Sequence, residues 1–310
     1  MSSDASPEFD EFAFLPVLAQ QRDTAVPVVK RVNLALPDGR TLSALRWGDA
    51  ASPAPRLVFL HGAGLNAHTW NATLTALGSS NLGASALALD LPGHGDSSWR
   101  DDADYRAHTL APDVVAALRE WTTTPVVLIG QSLGGLTAAA VAALAPDVVA
   151  RVIVIDITPG ITAEGPAQLR DFFSGPLDFA SFDDLVDRAL AFGLGGSREQ
   201  TERGVRLNAR LRPDGRVEWK HHFARLANPD APPLASAPPA HSPEQGWDDL
   251  MAAQAPLTLI RATDGYLSTE ATAEFETRVP TAAVITVTAG HNVQEYIPDE
   301  LAKLVRKISE

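Results

Sequence analysis

Short, continuously apolar runs alternate along the chain with stretches whose apolar residues recur at helical spacing. Arg56 to Leu60, Ala84 to Leu89, Val126 to Ile129 and Arg151 to Asp156 are runs with apolar residues on both alternating faces of their interiors, the pattern of strands buried between two layers. Asn66 to Leu77, Thr109 to Trp121 and Leu136 to Leu144 predict helices between them; Leu110, Val114, Ala117, Leu118 and Trp121 share one helical face. Val28 to Leu36 and Thr41 to Trp47 flank Pro37-Asp38-Gly39-Arg40, which predicts an antiparallel hairpin at the edge of the sheet. The β-α order implies a mostly parallel sheet with helices on both faces.

The alternation stops at Pro159 and returns only after Trp247. Phe182 to Leu194 and Gln200 to Leu211 have helical spacing, a proline-rich return covers Asn228 to Pro243, and no buried strand is evident. An inserted helical cap over residues 159–247 is the expectation, with the core divided between 26–158 and 248–310. Strands at Leu257 to Arg261 and Ala283 to Thr288, and helices at Thr269 to Arg278 and Pro298 to Ile308, complete that core. Residues 1–25 predict a frayed arm in which Phe12, Phe14, Leu15 and Leu18 form at most a short docking helix with no chemistry.

Chemistry enters at Gly130-Gln131-Ser132-Leu133-Gly134, where a buried strand turns into an alanine-rich helix. This is G-x-S-x-G, the spacing of a nucleophile elbow, in which a tight turn exposes the serine hydroxyl and the helix N-terminus favours developing negative charge. His61-Gly62-Ala63-Gly64 also follows a strand. It reads either as half of an oxyanion hole or as a plain strand-to-helix turn. His94, inside the turn-forming Pro92-Gly93-His94-Gly95, is expected to be structural.

Composition narrows the field. At 310 residues and 45% hydrophobic, the chain can bury one large core with an insertion. Its net charge of -13 argues against nucleic acid and anionic membrane surfaces as partners. The absence of cysteine removes disulfides, thiolate catalysis and cysteine-ligated metals. A polar, acidic start and the lack of a long apolar run predict a cytoplasmic protein. Neither a phosphate-binding G-x-x-x-x-G-K-[ST] nor a dinucleotide G-x-G-x-x-G pattern is present.

A serine nucleophile needs a base, and the base needs an acid to orient it. Of eight histidines, His291 alone follows the last predicted strand, and the order Ser, acid, His selects it. Two aspartates stand at strand ends: Asp264, after the penultimate strand and expected to be the acid, and Asp156, before the insertion, the alternative. Backbone N–H groups of Leu133 and Ala63, or of Gly64, would form the oxyanion hole.

These motifs, together with Asp90-Leu91-Pro92-Gly93-His94-Gly95 and Ala289-Gly290-His291, resemble the α/β-hydrolase superfamily over residues 28 to 308. Asn66-Ala67-His68-Thr69-Trp70, Leu133-Gly134-Gly135-Leu136-Thr137-Ala138 and Asp156-Ile157-Thr158-Pro159 look most like actinobacterial carboxylesterases, including monoalkyl phthalate hydrolases. The resemblance implies an α/β-hydrolase fold and a serine esterase that uses no cofactor or metal and acts on a small-molecule ester; carbon–carbon bond hydrolases and perhydrolases of the same fold, and a non-catalytic ligand-binding homologue, are the alternatives it leaves open. One departure is that Arg261-Ala262-Thr263-Asp264 is a residue shorter than the usual R-G-x-x-D, which keeps Asp156 in play. The insertion carries Arg203, Arg206, Arg210, Arg212, Arg216, Lys220 and Arg225 against Asp214 and Glu218. A solvated face is one reading of that excess; a grip on the carboxylate of an aromatic half-ester is the other, with Arg206, Arg210, Trp219 and His222 as candidate substrate contacts.

Overall fold

The computed structural model describes residues 9–49, 52–78, 85–161, 172, 174–192, 197–228 and 242–310. Eight strands make the main sheet: β1 (Val29–Ala35), β2 (Thr41–Trp47), β3 (Leu57–Leu60), β4 (Ala86–Asp90), β5 (Val126–Gln131), β6 (Val149–Ile155), and two after the insertion, β10 (Leu257–Asp264) and β11 (Ala283–Gly290). Their spatial order is β1-β2-β4-β3-β5-β6-β10-β11. β1 pairs antiparallel with β2, and β2 with β4, while every later pairing is parallel.

The apolar runs divide by the period of two that a strand imposes. Val58, Leu60, Leu128, Val152 and Val154 enter one core with Leu110, Val114, Leu118, Ala138, Trp247, Leu250 and Phe275. Leu57, Phe59, Val127, Ile129, Ile153 and Ile155 enter the other with Leu15, Trp70, Leu74, Leu301 and Val305. Helices Ala107–Trp121, Leu133–Leu144, Pro243–Ala252 and Thr269–Arg278 thus cover one face, and Leu15–Gln21, Asn71–Leu77 and Pro298–Ser309 the other. No helix among the described residues is long and apolar enough to cross a membrane.

Between β6 and β10 the chain builds a separate apolar cluster around Phe172, Phe179, Leu185, Val205, Val217 and Trp219. The insertion is not purely helical, as the sequence suggested. Helices Phe182–Ala191, Arg198–Asn208 and Phe223–Ala227 are joined by an antiparallel sheet in the order β7-β9-β8, formed by Asp178–Phe179 (β7), Ala209–Leu211 (β8) and Val217–Trp219 (β9). A turn at Pro213-Asp214-Gly215 closes the β8–β9 hairpin: Arg212 N–H donates to Arg216 O at 2.7 Å, and Gly215 takes φ 83°. That residue pattern is the one that closes β1–β2. The proline-rich return, for residues 229–241, lies outside the described residues.

Candidate active site

Backbone crowding makes the elbow. A Cβ on Gly130 would stand 2.1 Å from Gly134 O, and one on Gly134 would stand 2.3 Å from Leu60 O, so β3, β5 and the helix after β5 approach backbone to backbone. The turn between them holds Ser132 at φ 52°, ψ -122°, with a side chain that makes no helix-capping bond. Such a conformation costs a non-glycine residue about 1–3 kcal/mol and persists only where its surroundings enforce it. Here Ser132 N–H donates to Ile155 O on β6 at 3.0 Å.

Parallel register then brings the neighbouring strand ends level. Gln131 lies opposite Ile155 and Ile155 opposite Ile260, while Asp264 lies opposite Gly290, so the residues just after β5, β6 and β11 share one edge. Gln131 ties two of these ends together by donating from Nε2 to His291 O at 3.2 Å and to Asn292 Oδ1 at 3.3 Å.

The carboxylate at the imidazole is Asp156, not Asp264. Asp156 Oδ2 is 2.8 Å from His291 Nδ1, and the carboxylate is fully buried. Its Oδ1 accepts from Ala262 N–H at 2.9 Å and its Oδ2 from Tyr266 N–H at 2.8 Å. Asp264 is exposed, with Thr263 Oγ1 donating to it at 3.1 Å. The short loop after β10 explains the difference. It wraps its backbone around Asp156 so closely that a Cβ on Gly265 would stand 2.1 Å from Asp156 Oδ2. Asp156 itself takes φ 50°, which turns its side chain towards that loop and His291.

The geometry also sorts the oxyanion-hole candidates. Gly64 N–H is spent on His94 Nε2 at 3.1 Å, which removes Gly64. The N–H groups of Ala63 and Leu133 have no acceptor among the described residues. His94 Nδ1 lies 3.1 Å from Pro92 O, and burial holds the imidazole pKa well below its usual value, so this histidine is a neutral brace under the Ala63 turn. His61 is a second such brace: Leu91 N–H donates to its Nε2 at 3.0 Å, and its Nδ1 stands 2.7 Å from Gly62 O.

The four residues expected to touch substrate have other partners. Arg206 pairs with Glu202 at 3.0 Å and lies over the Phe182 ring. Arg210 pairs with Glu218 at 2.8 Å and lies over Trp99. Trp219 packs edge-on against Phe172 and Phe179 inside the insertion. His222 stacks on Trp99 with centroids 4.4 Å apart and bonds Tyr105 Oη through Nδ1 at 2.7 Å, which fastens the insertion to the loop after β4. Burial and the nearby Arg225 depress the His222 pKa to about 4. Arg212 and Arg216 bind Asp178, and Lys220 binds Asp96. Arg225 differs, because its Nε is buried with no hydrogen-bond partner among the described residues.

Sequence reasoning missed Gln131 and Tyr266. Gln131 is the residue before the nucleophile, a position whose side chain must point away from the serine into the sheet edge. Tyr266 follows the glycine that packs on Asp156, and its ring stacks on His291 with centroids 3.7 Å apart and planes at 14°.

Comparison with known proteins agrees with this architecture. The model of the alpha/beta hydrolase family matches residues 57–304. The esterase Rv0045c of Mycobacterium tuberculosis is 35% identical over 99% of this chain and 98% of its own length. A solved structure of that esterase superposes with a TM-score of 0.78, covering 97% of this chain and 98% of that one. The mouse sn-1-specific diacylglycerol lipase ABHD11 is 29% identical over 83% of this chain and 81% of its own. The structure of E-2-(acetamidomethylene)succinate hydrolase, 22% identical with a TM-score of 0.71 over 90% of this chain and 98% of its own, shares the fold. With a family match across most of its length and a relative of more than 30% identity end to end, the chain belongs to the alpha/beta hydrolase family.

Proposed function

We propose that this protein is a serine carboxylic-ester hydrolase acting on a small-molecule ester in the cytoplasm, with Ser132 as nucleophile, His291 as base and Asp156 as acid. The observation that carries the reading is the 2.8 Å contact between Asp156 and His291 at the strand edge where Ser132 sits in its strained turn. Full-length similarity to an esterase supports the reaction class.

Ser132 Oγ forms a bond to the ester carbonyl carbon and gives its proton to His291 Nε2. Asp156 holds Nδ1–H and stabilises the imidazolium. The oxyanion meets the N–H groups of Ala63 and Leu133, donors worth about 2.7–4 kcal/mol each in comparable sites. Collapse breaks the bond to the alkoxide, which leaves with the proton from His291. Water then repeats the cycle on the acyl-enzyme and releases the acid. No step calls for a cofactor. The insertion, which leaves the sheet just beyond Asp156, acts as the cap over this edge. Hydrolysis of a p-nitrophenyl ester tests the reading. It is expected to stop on reaction with a serine-directed phosphonate and to fall by about 10⁶ in kcat in Ser132→Ala; retention of more than about a tenth of wild-type kcat in that variant rules out the acyl-enzyme.

A narrower reading assigns an aromatic half-ester such as a monoalkyl phthalate as substrate. Its support is the basic excess of the insertion, in which Arg225 Nε has no hydrogen-bond partner among the described residues, while Phe223, two positions before it in the chain, packs on His94 beneath the Ala63 turn. A charge-assisted bond to the free carboxylate is worth about 1.5–3 kcal/mol. On this reading kcat/KM for monobutyl phthalate exceeds that for the dibutyl ester by about tenfold or more, and Arg225→Met removes the preference. Equal rates on the two esters leave a generalist esterase.

A further inference from the structure

Tyr266 grips the acid and the base at once. Its backbone N–H donates to Asp156 Oδ2 at 2.8 Å, the same oxygen that meets His291 Nδ1. Its ring lies flat on the imidazole at 3.7 Å and 14°. A single hydrogen bond at Nδ1 fixes where the imidazole sits but leaves it free to tip about the Asp156–His291 line, which would swing Nε2 away from Ser132. A parallel ring against one face blocks that tipping. Gly265 permits the arrangement, because the chain must pass against Asp156 to present Tyr266. Among the ring contacts of the described residues, this one falls on the proposed base.

From this geometry we infer that Tyr266 is a positioning residue that holds the His291 imidazole in the plane of its bond to Asp156, through its ring and not its hydroxyl. The inference rests on the Ser132–His291–Asp156 reading, and its test has one arm that needs no turnover. The variants are Tyr266→Phe, which keeps the ring, and Tyr266→Leu, with Tyr266→Gln as a second ringless variant should leucine impair folding. With a p-nitrophenyl ester, Tyr266→Phe should keep kcat within about twofold. The ringless variants should lose about tenfold in kcat with KM within about twofold, in line with the cost of sub-ångström misplacement of a catalytic group. In proton NMR, the downfield Nδ1–H resonance of His291 should persist in wild type and Tyr266→Phe, and broaden through faster exchange with water in the ringless variants. A rise in KM at constant kcat would make Tyr266 a wall of the substrate pocket, and damage in Tyr266→Phe equal to that in Tyr266→Leu would move the role to the hydroxyl. Either result overturns the inference, as does an unchanged Nδ1–H resonance in the ringless variants. If the wild-type protein shows no Ser132-dependent turnover, the hydrolase reading fails, while the NMR arm still decides whether Tyr266 holds the pair.

Discussion

At Asp156 a fully buried carboxylate accepts bonds from Ala262 N–H and Tyr266 N–H as well as meeting His291. A buried charge so satisfied is stable where it sits and costly to disturb. Asp156→Asn should therefore lower kcat by about 10⁴, the size of the loss when an acid no longer fixes the imidazole tautomer, whereas Asp264→Asn should stay within a few-fold of wild type. Kinetics of the two variants on one ester check the ranking. Gly265→Ala tests the same packing from the other side. Its added methyl has nowhere to go but Asp156 Oδ2, so kcat should drop at least tenfold while the fold survives, read by activity beside circular dichroism. That Asp264 looks like the acid in sequence has a physical cause: spacing reveals which strand ends meet the edge, but not whether a loop offers a side chain or its backbone there. The places of Ser132 and His291 at that edge are legible because a strand-to-helix turn between glycines and a position after the last strand each leave few options.

Among elements, the N-terminal arm departs most from its expected role. Glu11 bonds Arg31 and lies 2.9 Å from His68 Nε2, and Arg31 Nη1 reaches Asp90 Oδ2 at 2.7 Å. Asp90 Oδ1 in turn accepts from Ala67 N–H at 2.7 Å, close to the Ala63 turn. Burial opposes ionisation of Glu11, but the bonds from His68 and Arg31 and the charge of Arg31 outweigh it and bring its pKa to about 2. Because that value lies below the ordinary 4.5, the unfolded chain binds this proton first. The contribution is present above pH 4.5 and lost as pH falls towards 2. The melting temperature of wild type should thus decline across this window more steeply than that of Glu11→Gln, compared in thermal melts. A lone Glu in a polar arm gives no hint of such a partner twenty residues away. The β8–β9 hairpin escapes notice for a different reason. Pro37-Asp38-Gly39 stands between strands of seven residues each, but Pro213-Asp214-Gly215 stands between strands of three residues each, too short to show a period.

Across the whole molecule, the seam between core and insertion is rich in polar contacts. Asn66 Nδ2 reaches Asn208 Oδ1 at 2.7 Å, Trp99 Nε1–H donates to Lys220 O at 2.7 Å, and His222 N–H donates to Gly93 O at 2.8 Å. Two neutral histidines lie on this seam. Burial and its histidine neighbours bring His221 to about 3, and His222 stands at about 4. Both values lie below the ordinary 6.5, so the unfolded chain takes up these protons first, and the stability they represent is whole above pH 6.5 and falls as pH drops towards 4. Thermal melts between those limits should show a shallower slope in His222→Gln than in wild type. Asp156 follows β6 directly, just before the insertion begins, and the bonds that orient Ser132, Asp156 and His291 come from Gln131, Ile155, Ala262 and Tyr266, all outside it. Recombination between two relatives with joints near Pro159 and Ser242 would therefore exchange the insertion as a cassette and leave every one of those bonds in place.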